Sequence, residues 1–552
     1  MWYFPSPFAP KQRTDLARWR GRRPRLETLE DRWCPAGGTF EWADPTGGAL
    51  DPTFGSGGQV VTSFSNHYDA ANAIIMQSDG KILIAGGSIR SGSKTGLDFL
   101  VARYNADGSV DTSFGSGGYT VTDFKTGYDS ANAVAIQPQG AGPSKILAAG
   151  SATVANKGVT ALARYNANGS LDTTFGSKGK VTIDTGGIRR MVVDGAGRIL
   201  GMAGTTLTRY TANGALDTTF GSGGKVVTNI KENGYPSSFA LQADGKIIVA
   251  ATSPDPVTGT DEFVVARYTA NGAIDATFGT GGIVTTHPPT GHPCFSGLAI
   301  QADGKVVLAG FEGGVDPDGV DRQGEYILRY NTNGSLDGAF GSGGITYLVN
   351  PGMWADSPGG VAIQSDGWIV AGGVFGDASY FNHFTVVRVS PSGILDPGYG
   401  TGGWASVTFG YGTDAHVMVL QPDGRVLLAG YARPNGTTYP TDVAVARFLA
   451  SAPQIGSFTA GPSPVVSGGT TTLTASNFTD ANPGATVALV DFYIMVGGSP
   501  LLLGRGTRNS DGSWSFVFDT TGYAPGTYTL YAQATDNYGA LGNPVSLTLT
   551  LF

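Results

Sequence analysis

Short segments rich in apolar residues follow one another along most of the chain. The first group has four of them, at Gln59–Phe64, Asn72–Gln77, Lys81–Gly87 and Asp98–Asn105. The first segment alternates apolar and polar residues, and the last two are continuous apolar runs, typical of strands covered on both faces. Asp79-Gly80 stands between the second and third segments and is a strong hairpin signal. The pattern therefore predicts four short β-strands.

The same four segments recur, and each group begins after a variant of the phrase Leu-Asp-x-Thr-Phe-Gly-x-Gly-Gly. Seven copies of this phrase begin at Leu50, Val110, Leu171, Leu216, Ile274, Leu336 and Leu395. Self-similarity at a near-constant spacing indicates one structural unit used many times. Four strands repeated seven times predict an all-β fold, a seven-bladed β-propeller over residues 38–449. A β-solenoid is the alternative.

The repeated unit resembles the bacterial delta-60 repeat family over about residues 48–449. That resemblance implies a propeller-like, exported and non-catalytic array whose ligand is unassigned. The third repeat departs from the pattern, since Val192–Arg198 replaces the usual turn and Gly204–Leu207 joins strands three and four tightly. We expect a shortened loop there, with the blade intact.

Connection lengths separate into constant and variable kinds. The path from the end of strand four to the second glycine of the next phrase is constant, as from Tyr104 to Gly118. The connections between strands one and two, and between strands three and four, vary. If all four strands pair in order, the variable connections emerge on one face. Repeat proteins tend to bind ligands on the face that carries their insertions.

An aromatic residue recurs near the start of strand two on that variable face. The candidate ligand-binding residues are Tyr68, Tyr128, Tyr235, His292, Trp354 and Tyr411. Flat side chains around a pore can stack on sugar rings. The alternative is that each aromatic residue packs under the neighbouring blade.

An arginine in strand four precedes the aspartate of the following phrase by eight residues, as in Arg103 and Asp111 or Arg164 and Asp172. A charge in an apolar strand needs a partner. We expect one structural Arg–Asp pair per blade rather than seven catalytic sites. The phrase's phenylalanine, such as Phe114, is expected to fill the space between blades.

Charge and cysteine content argue against two classes of protein, those that bind nucleic acids and those built on a disulfide framework. The formal net charge is −8 over 552 residues, which argues against nucleic-acid binding. Two cysteines exclude a disulfide framework. No apolar run is long enough for a transmembrane helix, so no transmembrane segment is expected.

The first 37 residues differ from the rest because they are basic, and we expect a disordered leader there. Within them, Arg22–Ala36 contains Leu-Glu-Thr-Leu-Glu-Asp-Arg and resembles an N-terminal tag of large exported and surface proteins of bacteria. The resemblance implies an extracellular or cell-surface location. A plain disordered basic arm is the alternative.

No group of residues predicts catalysis, a metal or a cofactor. His292 and Cys294 lie near His287, but metal sites usually have more ligands. The acidic run Asp316–Asp321 lacks the spacing of a calcium loop. The protein is therefore expected not to be an enzyme.

Residues 450–453 are a predicted linker, and residues 454–552 contain about seven alternating segments. Seven short strands in about 100 residues predict an immunoglobulin-like β-sandwich. Asp511–Phe516 and Gly526–Asp536 resemble bacterial Ig-like surface domains, which act as spacers or adhesive units. Trp514 is expected in the sandwich core.

Together these features predict an exported or cell-surface binding or adhesion scaffold. Its candidate partners are a surface glycan, a carbohydrate ligand, or another surface protein. Two alternatives remain, a propeller enzyme that acts on polysaccharide and a structural surface-layer component.

Overall fold

The computed structural model describes residues 48–552 with short gaps. The gaps are at 66, 90–95, 125–126, 141, 229, 231–237, 256–259, 289–291, 314–323, 351–352, 378, 380, 411, 434–440, 451–452, 481–485, 497–498 and 538–540. The predicted leader, Tyr235, Tyr411 and the acidic run Asp316–Asp321 lie outside the described residues.

Throughout the described residues the fold is all-β and contains no helix, as predicted. Nine four-stranded antiparallel sheets form there, seven of them from the repeat region. Among the described residues, no helix has the length and apolar character needed to cross a membrane.

Each repeat sheet has four positions, and the strands at each position share a sequence pattern. First strands are β2 (Tyr68–Met76), β6 (Ser130–Gln139), β10 (Arg190–Val193), β14 (Ser238–Leu241), β18 (His292–Ile300), β22 (Met353–Ile363) and β26 (Thr413–Leu420). Second strands are β3 (Ile82–Ile89), β7 (Gly142–Val154), β11 (Ile199–Ala203), β15 (Ile247–Pro254), β19 (Val306–Gly313), β23 (Ile369–Asp377) and β27 (Val426–Ala432).

The two remaining positions complete each sheet. Third strands are β4 (Asp98–Tyr104), β8 (Lys157–Tyr165), β12 (Thr206–Tyr210), β16 (Asp261–Tyr268), β20 (Glu325–Tyr330), β24 (Asn382–Val389) and β28 (Asp442–Phe448). Fourth strands are β5 (Tyr119–Thr122), β9 (Lys180–Ile183), β13 (Lys225–Val227), β17 (Ile283–Thr286), β21 (Ile345–Leu348), β25 (Trp404–Val407) and β1 (Gln59–Thr62).

The sheets correct the predicted grouping of strands. The segment at Gln59–Phe64 was expected to pair within its own unit, but β1 pairs with β28 from the end of the repeat region. Likewise β5 pairs with β4, so each phrase precedes the last strand of a sheet rather than the first. A periodic sequence does not mark where a structural unit begins. The spacing of the phrases therefore could not show which strand comes first in each sheet.

The first and last repeat sheets also share a hydrophobic core. Ile74 and Leu100 of the first sheet pack in one cluster with Leu427 of β27 and Val445 of β28. The second and third strands are almost fully buried, which explains their continuous apolar runs. The third repeat keeps all four strands, as expected, although β10 to β13 are short.

The C-terminal residues form two further sheets. One has the order β29 (Gln454–Gly461), β30 (Thr470–Thr479), β34 (Trp514–Asp519) and β33 (Thr507–Arg508). The other has the order β32 (Ser499–Arg505), β31 (Val487–Val496), β35 (Gly526–Asp536) and β36 (Val545–Leu551). One core joins them, with Leu473 from the first sheet and Phe492 from the second. Trp514 is buried in it, as predicted.

Candidate binding face

The strand order assigns every connection of a repeat to one of two faces. In the sheet β2-β3-β4-β5 each strand is antiparallel to its neighbour. The β2–β3 turn and the β4–β5 connection therefore share one end, which we call the constant face. The β3–β4 loop and the link from β5 to β6 share the other end, the variable face. The predicted separation of constant and variable connections survives the corrected pairing, because both assignments alternate strand direction.

The constant face is built by one repeated ion pair, as predicted. Arg103 Nε lies 2.7 Å from Asp111 Oδ2, and both side chains are over nine-tenths buried. The arginine also donates from Nη1 to the Ala167 carbonyl oxygen of the following sheet, at 2.6 Å. Equivalent pairs are Arg164–Asp172, Arg209–Asp217, Arg267–Asp275, Arg329–Asp337, Arg388–Asp396 and Arg447–Asp51. This donation ties one sheet to the next at Arg103, Arg164, Arg209, Arg267, Arg329 and Arg447.

A buried phenylalanine completes this arrangement. The Arg103 guanidinium lies 4.7 Å from the centroid of the Phe114 ring, a cation–π distance. Phe114 itself is fully buried. Its ring lies against Gly169 of the following sheet, which has φ +86° and no room for a β-carbon. This agrees with the prediction that the phenylalanine fills the space between neighbouring sheets.

Charge and hydrogen bonds lower the pKa of Asp172 and Asp275. Burial alone would raise the pKa of Asp172, but Thr174 and Arg164 lower it to about 2. For Asp275, the hydrogen bond from Thr277 outweighs burial, and Lys246 and Arg267 lower the pKa further. A permanently ionised, fully paired carboxylate has no proton to exchange near neutral pH. The constant face is thus a structural surface.

A cavity of about 360 Å³ interrupts the constant face between the third and fourth repeat sheets. In the second sheet, Gln137 donates to the carbonyl oxygens of Gly197 and Ala212 in the next sheet. Asp194 takes this position in the third sheet and pairs with Arg198 of its own turn instead, at 2.7 Å. The shorter side chain leaves the space open. The sequence carried this signal in the variant turn Val192–Arg198.

The variable face carries four of the six predicted residues, and the structure describes the side chains of two of them. Tyr128 precedes β6 and is 69% exposed, so it does not pack under a neighbouring sheet. Tyr68 begins β2 and is half-buried beside Thr441 of the last sheet. His292 begins β18, and Trp354 is the second residue of β22. These four positions therefore lie at the same end of their sheets.

Aspartates that follow the aromatic residues fix the links between sheets, and sequence analysis missed them. Asp69 Oδ2 accepts hydrogen bonds from the backbone N–H groups of Phe64 and Ser65 at 2.7 and 2.8 Å. Asp129 accepts in the same way from Phe124, at 2.8 Å. Burial raises the pKa of both carboxyls, that of Asp129 to about 6. The signal was the Tyr-Asp pair at 68–69 and 128–129.

Five segments of the chain match the family model described as "Domain of unknown function (DUF5122) beta-propeller". They are residues 77–114, 144–175, 242–278, 301–340 and 364–399, about a third of the chain. Each runs from a second strand into the next phrase. This is a β-propeller repeat protein. No curated protein sequence matches the chain.

Three solved structures resemble the chain distantly. A fungal alcohol oxidase in complex with copper is 14% identical, with 89% of this chain and 99% of that one covered and a TM-score of 0.40. The N-terminal domain of Nup159 is 10% identical, with 75% and 100% covered and a TM-score of 0.37. Hsv2 of Kluyveromyces lactis is 11% identical, with 70% and 99% covered and a TM-score of 0.33.

The first strands of the propeller sheets contain a second feature that sequence analysis missed. Asn72 lies at a β-bulge of β2 and donates to the Ala131 carbonyl oxygen of the next sheet, at 3.0 Å. Asn132 repeats the bulge in β6 and donates to the Ile188 carbonyl oxygen. His416 in β26 lies 3.0 Å from Asn72 Oδ1. The Ala-Asn-Ala pattern at 71–73 and 131–133 was the available signal.

Three histidines of the propeller lie beside carboxylates at the variable face. His383 Nε2 is 3.1 Å from Asp377, and His416 Nε2 is 3.4 Å from Asp414. His287 contacts two carboxylates, those of Asp255 and Glu262. The predicted neighbour Cys294 is buried in β18 and belongs to none of these contacts. The histidine–carboxylate contacts, like Tyr68 and Tyr128, thus lie on the variable face.

Proposed function

We propose that this protein is an exported or cell-surface scaffold without catalytic activity that binds a carbohydrate on its variable face. The observation that carries the proposal is the contrast between the two faces. The constant face repeats one buried Arg–Asp pair in every unit, whereas the variable face differs from unit to unit and presents Tyr128 at 69% exposure. Exposed aromatic rings suit stacking on the apolar faces of sugars.

The proposed architecture is a closed seven-bladed β-propeller followed by an Ig-like sandwich. Closure is supported by β1, which completes the sheet of β26 to β28, and by the core that the first and last sheets share. A ring leaves short edges and is a common solution for antiparallel repeats. Two four-stranded sheets around one core support the Ig-like assignment, and the resemblance to delta-60 repeats agrees with an array of this kind.

We infer a surface location from the leader, because its Leu26–Arg32 segment resembles an export tag. Protease treatment of intact producing cells tests it directly. We expect the full-length protein to be degraded while an intracellular marker survives. Full protection of the protein in intact cells, with degradation after lysis, would contradict an exposed location.

A glycan array on the purified full chain tests the ligand class. We expect binding to a restricted set of glycans, and loss of at least tenfold in affinity for Tyr128→Ala. Ile394→Ala is the matched control, because Ile394 is 67% exposed in the turn between Gly393 and Leu395 on the constant face. Equal losses in both variants, release of shorter oligosaccharides, or no binding by the wild type would each contradict the proposal.

A further inference from the structure

Three side chains meet at the variable-face end of the fourth repeat sheet, β14 to β17. Asp255 directly follows β15, Glu262 is the second residue of β16, and His287 directly follows β17. Three different segments thus supply one residue each. Glu262 and His287 are brought together by the register of β16 and β17, in which Phe263 pairs with Thr286.

The potential ligand atoms are close enough to share an ion. His287 Nε2 lies 3.1 Å from Glu262 Oε2 and 3.3 Å from Asp255 Oδ2. All three atoms lie within 4.8 Å of one another. Ligands bonded to zinc at about 2.0 to 2.2 Å lie roughly 2.8 to 3.6 Å apart for bond angles between a right angle and the tetrahedral value. The two measured separations fall within that range.

We propose that Asp255, Glu262 and His287 form a binding site for a divalent transition-metal ion, with zinc as the best chemical match. An imidazole and two carboxylates suit zinc and its neighbours better than calcium or magnesium, which prefer oxygen ligands alone. Three protein ligands leave at least one coordination position for water or a further ligand. His287 is about half exposed, so the site is accessible from solvent.

The local charge favours a cation. Glu262 has a side chain only 8% exposed and lies close to a second carboxylate. Burial raises the pKa of Glu262, the positive form of His287 lowers it, and the charge of Asp255 raises it. A divalent ion would neutralise the charge of both carboxylates.

Related positions in other sheets show why this one is distinct. In the first sheet, Asp123 follows β5 as His287 follows β17, and it lies near Asp98 and Asp129. That cluster consists of carboxylates alone. His383 has a single carboxylate contact, with Asp377. Within the described residues, only the fourth sheet groups an imidazole nitrogen with two carboxylates in this way.

Metal titration of the full chain tests the site. The protein should carry an affinity tag without histidines, and it should be stripped with a chelator and dialysed. We expect calorimetry with zinc chloride to show one ion per chain, cobalt to give visible absorption bands, and micromolar zinc to raise the Tm. His383→Ala, which changes a simple His–carboxylate pair, should bind zinc like the wild type.

His287→Ala and Glu262→Gln should lose zinc binding by at least tenfold and lose the cobalt bands. Because His287 is about half exposed, we expect the His287→Ala variant to fold, and circular dichroism checks this before titration. Absence of zinc uptake by the folded wild type would overturn the proposal. So would equal zinc affinity in the wild type and a folded His287→Ala variant, which would place any bound ion elsewhere. Neither result depends on carbohydrate binding, so the proposed function stands or fails separately.

Discussion

At the scale of single residues, the repeated arginine makes three kinds of contact, as Arg267 shows. Arg267 pairs with Asp275 at 2.8 Å, donates to the Thr332 carbonyl oxygen of the next sheet, and lies over the Phe278 ring. Lysine could supply the charge but not the planar, multiply donating group. The same bond to the next sheet forms at six of the seven arginines, whereas Arg388 donates to Gln364 of its own sheet and lies over Trp368.

Removal of this arginine should cost considerable stability. We expect Arg267→Met to lower the free energy of unfolding by about 3 kcal/mol, because it leaves a buried carboxylate with weaker compensation. Lys246→Met is the control, since Lys246 contacts the same Asp275 from a side chain 34% exposed. Its loss should cost about 1 kcal/mol or less. Urea denaturation measures both, and equal costs would contradict the role given to the arginine.

Glu325 gives a pH dependence with a definite sign. Burial raises the pKa of this carboxyl from 4.5 to about 8. Between these values the folded protein holds a proton that the unfolded chain has released, so stability falls as pH rises through that window. Between pH 5 and pH 9, the Tm of the Glu325→Gln variant should fall by less than the Tm of the wild type. Parallel Tm curves for the two proteins would show that Glu325 does not contribute.

Sequence could predict those contacts whose partners recur at a fixed spacing. Arg103 and Asp111 are eight residues apart in a pattern repeated along the chain, and an apolar strand requires such a pair. His287 and Asp255 are separated by β16, β17 and the connections around β16, and no other unit has a histidine directly after its fourth strand. Their approach depends on strand register, which a single sequence does not specify.

At the scale of elements, the strands were predictable but their grouping was not. The apolar runs located the strands of the first unit, from Gln59–Phe64 to Asp98–Asn105. The hydrogen-bonded partner of β1 lies almost 400 residues away in β28, and no local signal encodes that distance. Loop length alone indicated the two faces, because antiparallel neighbours alternate in direction whichever strand begins the unit.

The third repeat sheet offers a test of how the turn positions join neighbouring sheets. We expect the double variant Asp194→Gln, Arg198→Lys to raise the free energy of unfolding by about 1 kcal/mol, the usual contribution of a new hydrogen bond. The glutamine would copy Gln137, and the lysine would copy Lys81, which contacts Asp111 in the first sheet. The lost Asp194–Arg198 pair is partly exposed and contributes little.

Thermal and urea denaturation measure this gain against the wild type. Gln137→Asp is the reciprocal control, because it should open the equivalent contact in the second sheet and lower stability. A less stable double variant together with an unaffected Gln137→Asp would contradict the explanation given for the cavity.

At the scale of the whole molecule, the proposed closure would separate packing contacts from ligand recognition. If the first strand completes the last sheet, every repeat sheet has two neighbours. Similar contacts on the constant face can then join each sheet to the next. The variable face is then free to differ between units. The aromatic residues, the histidine–carboxylate contacts and the proposed metal site all lie there. The proposed binding sites would therefore depend on the proposed closure of the array.

A disulfide between β1 and β28 tests this closure most directly. Arg447 N–H donates to the Gly58 carbonyl oxygen, so Val61 and Ala444 form a pair without mutual hydrogen bonds, the type with the closer Cα atoms. The variant Val61→Cys, Ala444→Cys should form an intramolecular disulfide under mild oxidation, seen by mass spectrometry of the monomer. Val61→Cys, Ala161→Cys should not, because Ala161 pairs with Thr182 in the second sheet. Absence of the first cross-link in the folded protein, or its formation only between chains, would contradict a closed array.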